Sequence, residues 1–334
     1  MAALRIGILG AGAIAMDHAK CMTHNPGVGK ILVHDVDAAR ATRLAQEYKG
    51  EVVPSEAALI AGCDLLWICS PPAYHRATIE ACAAAGKAMF CEKPLALTEA
   101  DLAAIERALA KSGVPFLMGQ SCRWLHPFQT LVNRARSGAV GDIVEVFSTR
   151  LGYFDPARHP AWRLTDEASG GVIVELGAHE LDFLRSVAGN FASVHGVGSS
   201  KNLAPGRYQD NVAATGWMAS GAAFALAVSA CEPRYLWQRG VRGTTGTLFI
   251  DDMRFTQLEL WRPGKAEPEL IPCENWRHEP TGENMAFRNQ LAGAVATMAT
   301  GAPFAVSLAD GAAAVRAGLA IRQSITTGQI VKLA

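Results

Sequence analysis

Short apolar runs alternate with longer stretches of helical spacing in the first third of the chain, and the pattern changes near residue 121. The runs at 4–9, 30–34, 65–69, 88–91 and 115–119 read as strands, and 14–24, 38–48, 73–85 and 99–112 read as helices. Strands that alternate with helices predict right-handed crossovers and a parallel sheet. Beyond residue 121, apolar or alternating segments at 143–151, 192–200, 211–218, 223–231, 234–239, 245–250 and 257–261 follow one another, with a last strand at 330–333. Helices are expected near 127–136, 171–188, 283–299 and 309–326, and 201–210 reads as a polar hairpin loop. Strands in succession predict a mostly antiparallel sheet. The expectation is therefore an α/β chain of two domains, 1–121 and 122–334.

The first strand runs directly into Gly10-Ala11-Gly12-Ala13-Ile14-Ala15, a G-x-G-x-x-A turn. Gly10 permits the tight turn, Gly12 leaves room for a pyrophosphate, and Ala15 lets the helix lie close to the strand. The helix N-terminus then offers free N–H groups and the positive end of its dipole. Asp35 ends the second strand, where an acidic side chain accepts hydrogen bonds from ribose hydroxyls and repels a 2′-phosphate. This points to NAD rather than NADP on a doubly wound Rossmann sheet. The competing reading is that Asp35 and Asp37 only cap the next helix. Ligands bind such sheets beyond the carboxyl ends of the strands, which singles out the loops 70–72, 92–94 and 120–123.

Composition narrows the classes. Half of the 334 residues are apolar and 19% are charged, so the chain folds rather than staying disordered. Thirty-one basic residues balance 31 acidic ones, which argues against nucleic acid or a membrane surface as partner. No apolar stretch reaches the roughly 18 residues of a membrane span. The eight cysteines form no C-x-x-C pair and are expected to be reduced, in a cytoplasmic protein. Residues 4–15 could mimic a secretory leader, but Arg5 interrupts them and no basic segment precedes.

The segments GAGAIA at 10–15, Asp35, SPPAYH at 70–75, CEKPLALT at 91–98 and SGGVIVELGAHELD at 169–182 together resemble the Gfo/Idh/MocA family, named for glucose–fructose oxidoreductase, inositol dehydrogenase and a rhizopine-catabolism protein. The resemblance runs over essentially the whole chain. It implies an NAD(P)-dependent oxidoreductase of sugars, cyclitols or their derivatives. It also implies a C-terminal α+β domain whose large open, mostly antiparallel sheet binds substrate and joins subunits into a homodimer or homotetramer.

Candidate chemistry sits at several positions. Lys93 follows a buried strand and can stabilise negative charge on a substrate oxygen, although a surface lysine on a β–α loop is the plainer alternative. Glu92 is its ion-pair partner or backbone organiser, and Pro94 is expected to start the following helix. Glu175 and His179 are four apart and share a face of one expected helix, with Asp182 near it. A histidine there can take a hydroxyl proton while a carboxylate orients it. An ordinary helix histidine beside an i,i+4 carboxylate is the alternative. The resemblance assigns the base role to His179, and Glu175 stands where many family members carry Asp.

The resemblance also implies cofactor contacts at Gly10, Gly12, Ala13, Ile14, Asp35, Ser70, Pro71, His75, Glu92, Lys93, Gln120, Trp162 and Arg163. Substrate contacts are expected at Arg123, Tyr153, His159, Trp162 and Asp182. His75 could instead face solvent, Arg123 could form an interdomain salt bridge, and 153–163 could be a lid anchored by Trp162. No metal site is expected, because Glu175 and His179 lack a third ligand. No G-x-S-x-G elbow supports a hydrolase. The family also holds lyases that oxidise a sugar transiently and regulators that only sense the nucleotide. Net NADH formation separates a dehydrogenase from both.

Overall fold

The computed structural model describes residues 3–203, 206–251, 257–273 and 283–333. The chain divides into two compact units, Met1–Trp124 with Arg277–Ala312, and Leu125–Trp276 with Ala313–Ala334. The sequence suggested a single cut after residue 121. The structure instead returns a late segment to the first unit, because the helix at 285–300 packs on the helix that follows the glycine turn and on the turn at 121–124.

The first unit is built from β1 (Leu4–Leu9), α1 (Ala13–His24), β2 (Val28–His34), α2 (Ala38–Glu47), β3 (Glu51–Val52), α3 (Glu56–Gly62), β4 (Leu65–Ile68), α4 (His75–Ala84), β5 (Ala88–Glu92), α5 (Glu99–Ser112) and β6 (Phe116–Gly119). Its six strands are all parallel, in the order β3-β2-β1-β4-β5-β6. Every residue of β4, β5 and β6 is buried, as a sheet covered on both faces requires. Asp37 caps α2, Ser55 caps α3 and Thr98 caps α5 through their side-chain oxygens, each satisfying backbone donors of a first turn. Both β3 and α3 escaped the sequence reading. The strand is two exposed residues long, too short to show any period.

The second unit contains α6 (His126–Arg136), β7 (Ile143–Tyr153), α7 (Asp166–Ser169), α8 (Gly171–Glu175), α9 (Ala178–Ala188), β8 (Phe191–Ser199), β9 (Asn211–Met218), β10 (Ala223–Ser229), β11 (Cys231–Gly243), β12 (Gly246–Asp251), β13 (Gln257–Trp261) and β14 (Glu269–Pro272). Later in the chain come α10 (Met285–Thr300), α11 (Leu308–Thr327) and β15 (Val331–Lys332), of which α10 belongs to the first unit. The nine strands run β14-β13-β12-β11-β7-β10-β9-β8-β15, antiparallel except for the β7–β10 pair. The expected α/β architecture of a Rossmann sheet and a mostly antiparallel sheet is thus what the chain forms.

One face of the second sheet carries α9, and among the described residues the other is open, with Tyr153, Val197 and Trp217 exposed on it. Alternation along β7 sends Val146 and Ser148 to the covered face and Phe147, Thr149 and Leu151 to the open one. Under the covered face lies a buried ionic knot. Arg239 Nε and Nη2 donate to the two oxygens of Glu180 at 3.0 and 3.1 Å. Trp237 Nε1 (3.1 Å), Ser148 Oγ (2.5 Å) and Arg150 Nη1 (3.4 Å) donate to the same carboxylate. The Arg239 guanidinium also lies over Phe128, Phe183 and Trp237. Burial alone pushes the Glu180 carboxyl up, but Arg239 and Arg150 outweigh it and hold the group below the ordinary carboxylate range.

Among the described residues, no helix is long and apolar enough to cross a membrane, and no group of three or more His, Cys, Asp or Glu is arranged to hold a metal ion. All eight cysteines are unlinked thiols.

Candidate active site

Strand order reverses between β1 and β4, so the loops after these strands open side by side at the carboxyl edge of the sheet. Gly10 has φ +90°, and a Cβ there would lie 2.8 Å from the Ser70 nitrogen. Only glycine lets the two loops approach this closely. Gly12 is different. A Cβ on it would meet nothing within 4 Å, so its surface borders open space. No side chain caps α1 at Gly12, and Ala13 and Ile14 form its exposed and half-buried first turn. The buried Ser70 hydroxyl has no hydrogen-bond partner among the described residues. An open glycine surface, uncapped helix donors and an orphaned hydroxyl at one switch point fit a dinucleotide phosphate.

Asp35 does not cap α2. That task falls to Asp37, which accepts from Ala39 and Arg40 nitrogens. Asp35 Oδ2 instead accepts from the Ala11 nitrogen at 2.6 Å, and Oδ1 accepts from the Asp37 nitrogen at 2.8 Å. The carboxylate therefore ties the end of β2 to the glycine turn.

His75 does not face solvent. It is buried at the start of α4, with Nε2 2.9 Å from the Ser70 carbonyl and Nδ1 3.3 Å from that of Leu95. Burial lowers its pKa and favours the neutral ring. A neutral imidazole has one N–H, and the shorter contact to Ser70 is the one that uses it. His75 thereby ties the start of α4 to the Ser70 loop, while its Nδ1 lies beside the Leu95 carbonyl.

The β5 terminus delivers Glu92 and Lys93. The peptide between Lys93 and Pro94 is cis, and Pro94 does not start a helix, since α5 begins at Glu99 behind its Thr98 cap. Glu92 Oε2 accepts from the Lys93 nitrogen at 3.0 Å, which makes it the backbone organiser of its neighbour. Its Oε1 accepts from Nε2 of His18, at 2.8 Å. Sequence reasoning missed His18, although its place among Ala15, Ala19 and Met22 on the buried face of α1 was visible in the spacing.

Gln120 is buried after β6. Arg123 Nη2 donates to Asp310 Oδ1 at 3.0 Å. Both belong to the first unit, so this bridge is internal to it.

In the second unit the expected helix over 171–188 is two helices. The Gly177 nitrogen reaches back to the Val172 carbonyl at 2.9 Å, and α9 restarts at Ala178. A Cβ at Gly177 would run into the Ile173 carbonyl, so the break needs glycine. Glu175 ends one helix and His179 opens the next. The one-helix argument for placing them on a common face therefore does not hold. Glu175 Oε1 accepts from Arg163 Nη2 at 2.5 Å, the longer acid reaching the arginine of the preceding loop. Glu175, His179 and Asp182 are all buried.

The loop after β7 folds around Phe154, not Trp162. His159 stacks on the Phe154 ring at 4.7 Å, and the Arg163 guanidinium lies 4.8 Å above it. The His159 Nδ1 is bonded to the Asp155 carbonyl of its own loop. Trp162 is half-buried. Tyr153 is exposed and stands on the open face of the sheet, opposite the face that α9 covers. Tyr208, from the segment read as a polar hairpin, is fully buried, and its hydroxyl has no partner among the described residues. Burial, with Glu175 nearby, raises its pKa.

The structure thus gathers the predicted residues in two groups. Gly10, Gly12, Asp35, Ser70, His75, Glu92 and Lys93 ring the carboxyl edge of the first sheet. Arg163, Glu175, His179 and Asp182 belong to the second unit, and Tyr153 turns away from them.

Comparison with known proteins agrees with this geometry. Residues 4–120 match the model of the oxidoreductase family with an NAD-binding Rossmann fold, and residues 128–249 match the GFO/IDH/MocA C-terminal domain. The chain is 27% identical to inositol 2-dehydrogenase of Rhizobium meliloti, over 99% of both chains. It is 26% identical to myo-inositol 2-dehydrogenase of Thermotoga maritima, over 99% of this chain and 98% of that one. A levoglucosan dehydrogenase solved with NADH and levoglucosan superposes with a TM-score of 0.88 over 99% of both chains at 20% identity, a likeness of fold.

Proposed function

The chain belongs to the Gfo/Idh/MocA oxidoreductase family, and from that premise we propose that it is an NAD-dependent dehydrogenase of a secondary alcohol on a cyclitol or sugar. The observation that carries this reading is the open cradle at the switch point, where Gly12, the uncapped start of α1 and the orphaned Ser70 hydroxyl meet. Gly10, Gly12, Ala13 and Ile14 would hold the pyrophosphate and Asp35 the adenosine ribose. The nearest arginine in sequence, Arg40, is paired with Asp37 at 3.1 Å, which supports NAD over NADP. The dinucleotide, when bound, supplies the hydride acceptor.

The protein's own groups handle the proton and the charge. His179 takes the hydroxyl proton as hydride leaves the carbon, and Glu175, fixed by Arg163, supports the imidazolium. Lys93 donates to a substrate oxygen and stabilises its developing negative charge. Reduction of a ketone uses these groups in reverse. The two inositol dehydrogenases that align over the full chain favour a cyclitol. The open sheet face, with Val197 and Trp217 exposed, is where a second copy would pack in a homodimer or homotetramer.

The test is NADH formation on a panel of cyclitols, aldoses and glycosides, after fluorescence titration of NAD and NADP. The expected result is tighter NAD binding, turnover of a panel member, and a loss of about 10²–10⁴-fold in kcat for His179→Ala. Tight binding without NADH from any member would reject the dehydrogenase in favour of transient oxidation or nucleotide sensing.

A further inference from the structure

The buried His18 takes no part in the proposed reaction, yet it occupies a position that controls a group that does. It lies six positions into α1, the helix whose first turn forms the phosphate cradle. Its ring is 1% exposed and walled on three sides. Trp67 and Phe90 meet it edge-on, each with centroids 5.3 Å away, and Phe287 of α10 lies at 4.5 Å. Trp67 and Phe90 are themselves stacked at 3.9 Å. A ring so confined cannot turn, and its Nε2 points at Glu92 Oε1, 2.8 Å away.

Glu92 is therefore held at both oxygens by different donors. Oε1 accepts a hydrogen bond from His18 Nε2, and Oε2 accepts one from the Lys93 backbone N–H. The two bonds, one to each oxygen, hold the carboxyl group, and the second also ties it to the backbone from which the Lys93 side chain leaves. Removing the imidazole frees Glu92 to rotate and leaves a buried carboxyl oxygen without its donor. The Lys93 nitrogen then loses a fixed acceptor. A displacement of about 1 Å at a catalytic group is enough to lower turnover by about a hundredfold.

We propose that His18 is the positioning residue of Lys93, acting through Glu92, and that it links the helix carrying the dinucleotide cradle to the group that polarises the substrate oxygen. The inference rests on Lys93 having the role assigned above. It concerns a residue that touches neither substrate nor dinucleotide.

The test compares His18→Leu and His18→Gln in the wild-type and Lys93→Ala backgrounds. His18→Leu should lower kcat at least 30-fold while NAD affinity, read by fluorescence titration, stays within threefold. His18→Gln, whose amide nitrogen reaches the place of Nε2 and can donate to Glu92, should recover kcat to within about fivefold of wild type. In the Lys93→Ala background neither substitution should lower kcat more than twofold further, because residues that act as one unit are not additive. Should His18→Leu not fold, His18→Met, which also lacks a donor, takes its place with the same expected loss and the same cycle. In the ligand-free protein, the His18 Nε2 proton should appear as a slowly exchanging resonance that moves in Glu92→Gln.

Two results would overturn the inference: a folded His18→Leu protein with kcat within threefold of wild type, or losses that simply multiply with that of Lys93→Ala. If Lys93→Ala itself leaves kcat unchanged, the role of Lys93 fails, and that outcome is distinct from a failure of His18 alone.

Discussion

Glu92 and Glu180 are both buried glutamates, and the molecule treats them in opposite ways. Glu180 is surrounded by Arg239, Arg150, Trp237 and Ser148, all donating to one carboxylate beneath the second sheet. Glu92 has one imidazole and one backbone N–H, and the next residue is the lysine of the candidate site. Redundant partners make the first a latch between α9 and the strands β7 and β11. No single neighbour defines its position. Among the described residues the second has one donor for each oxygen, so each partner decides where it sits. Both acids neighbour a candidate catalytic residue, Lys93 and His179, so the number of partners and not the distance from the site separates them: Glu180 keeps its place when one partner is lost, and Glu92 does not.

The sharpest way to break this comparison is to remove each acid. Glu180→Ala strands the buried Arg239 guanidinium without its counter-charge, and denaturant unfolding should show a loss of about 3–5 kcal/mol. Glu92→Gln keeps an acceptor for the Lys93 nitrogen and an amide toward His18. Its loss should be about 1 kcal/mol in the same assay, with the effect appearing in turnover instead. Equal losses for the two would erase the distinction.

Acid should sharpen the contrast, with smaller effects. His75 has a folded pKa below that of the unfolded chain, so between the two values the unfolded state holds more protons. Its contribution is present above about pH 6.5 and is lost as pH falls below that toward the folded value. Glu180 follows the same sign lower on the scale. Its contribution is present above about pH 4.3 and is lost as pH falls through its depressed folded value. Hydrogen exchange at pH 5.5 should therefore show weakened protection around 70–75 and 95 while 178–188 and 237–241 stay protected. Uniform loss across both regions would count against separate titrations.

Much of the first unit could be read directly. G-x-G-x-x-A, Asp35 and the strand–helix rhythm are local signals, and each names its own place in the sheet. The Glu92–Lys93 pair was legible as a motif, but its partner was not. His18 lies 74 residues away, and no periodicity links a helix face to the end of a particular strand. The same limit hid the pairing of Arg163 with Glu175 and of Arg123 with Asp310. The break at Gly177 was visible as a glycine, yet one glycine lowers helix stability by only about 1 kcal/mol, so the pattern read through it. The parallel β7–β10 pair was equally silent, because alternation reports which face a residue takes and not the direction of its neighbour.

The return of α10 to the first unit bears on how the chain is made. Phe287, one wall around His18, leaves the ribosome about 160 residues after Trp124, some 8–30 s later at ordinary synthesis rates of roughly 5–20 residues per second. Until then Trp67, Phe90 and the His18 ring form a pocket with one side missing. A fragment ending near residue 124 would lack this wall permanently and expose the aromatic gap.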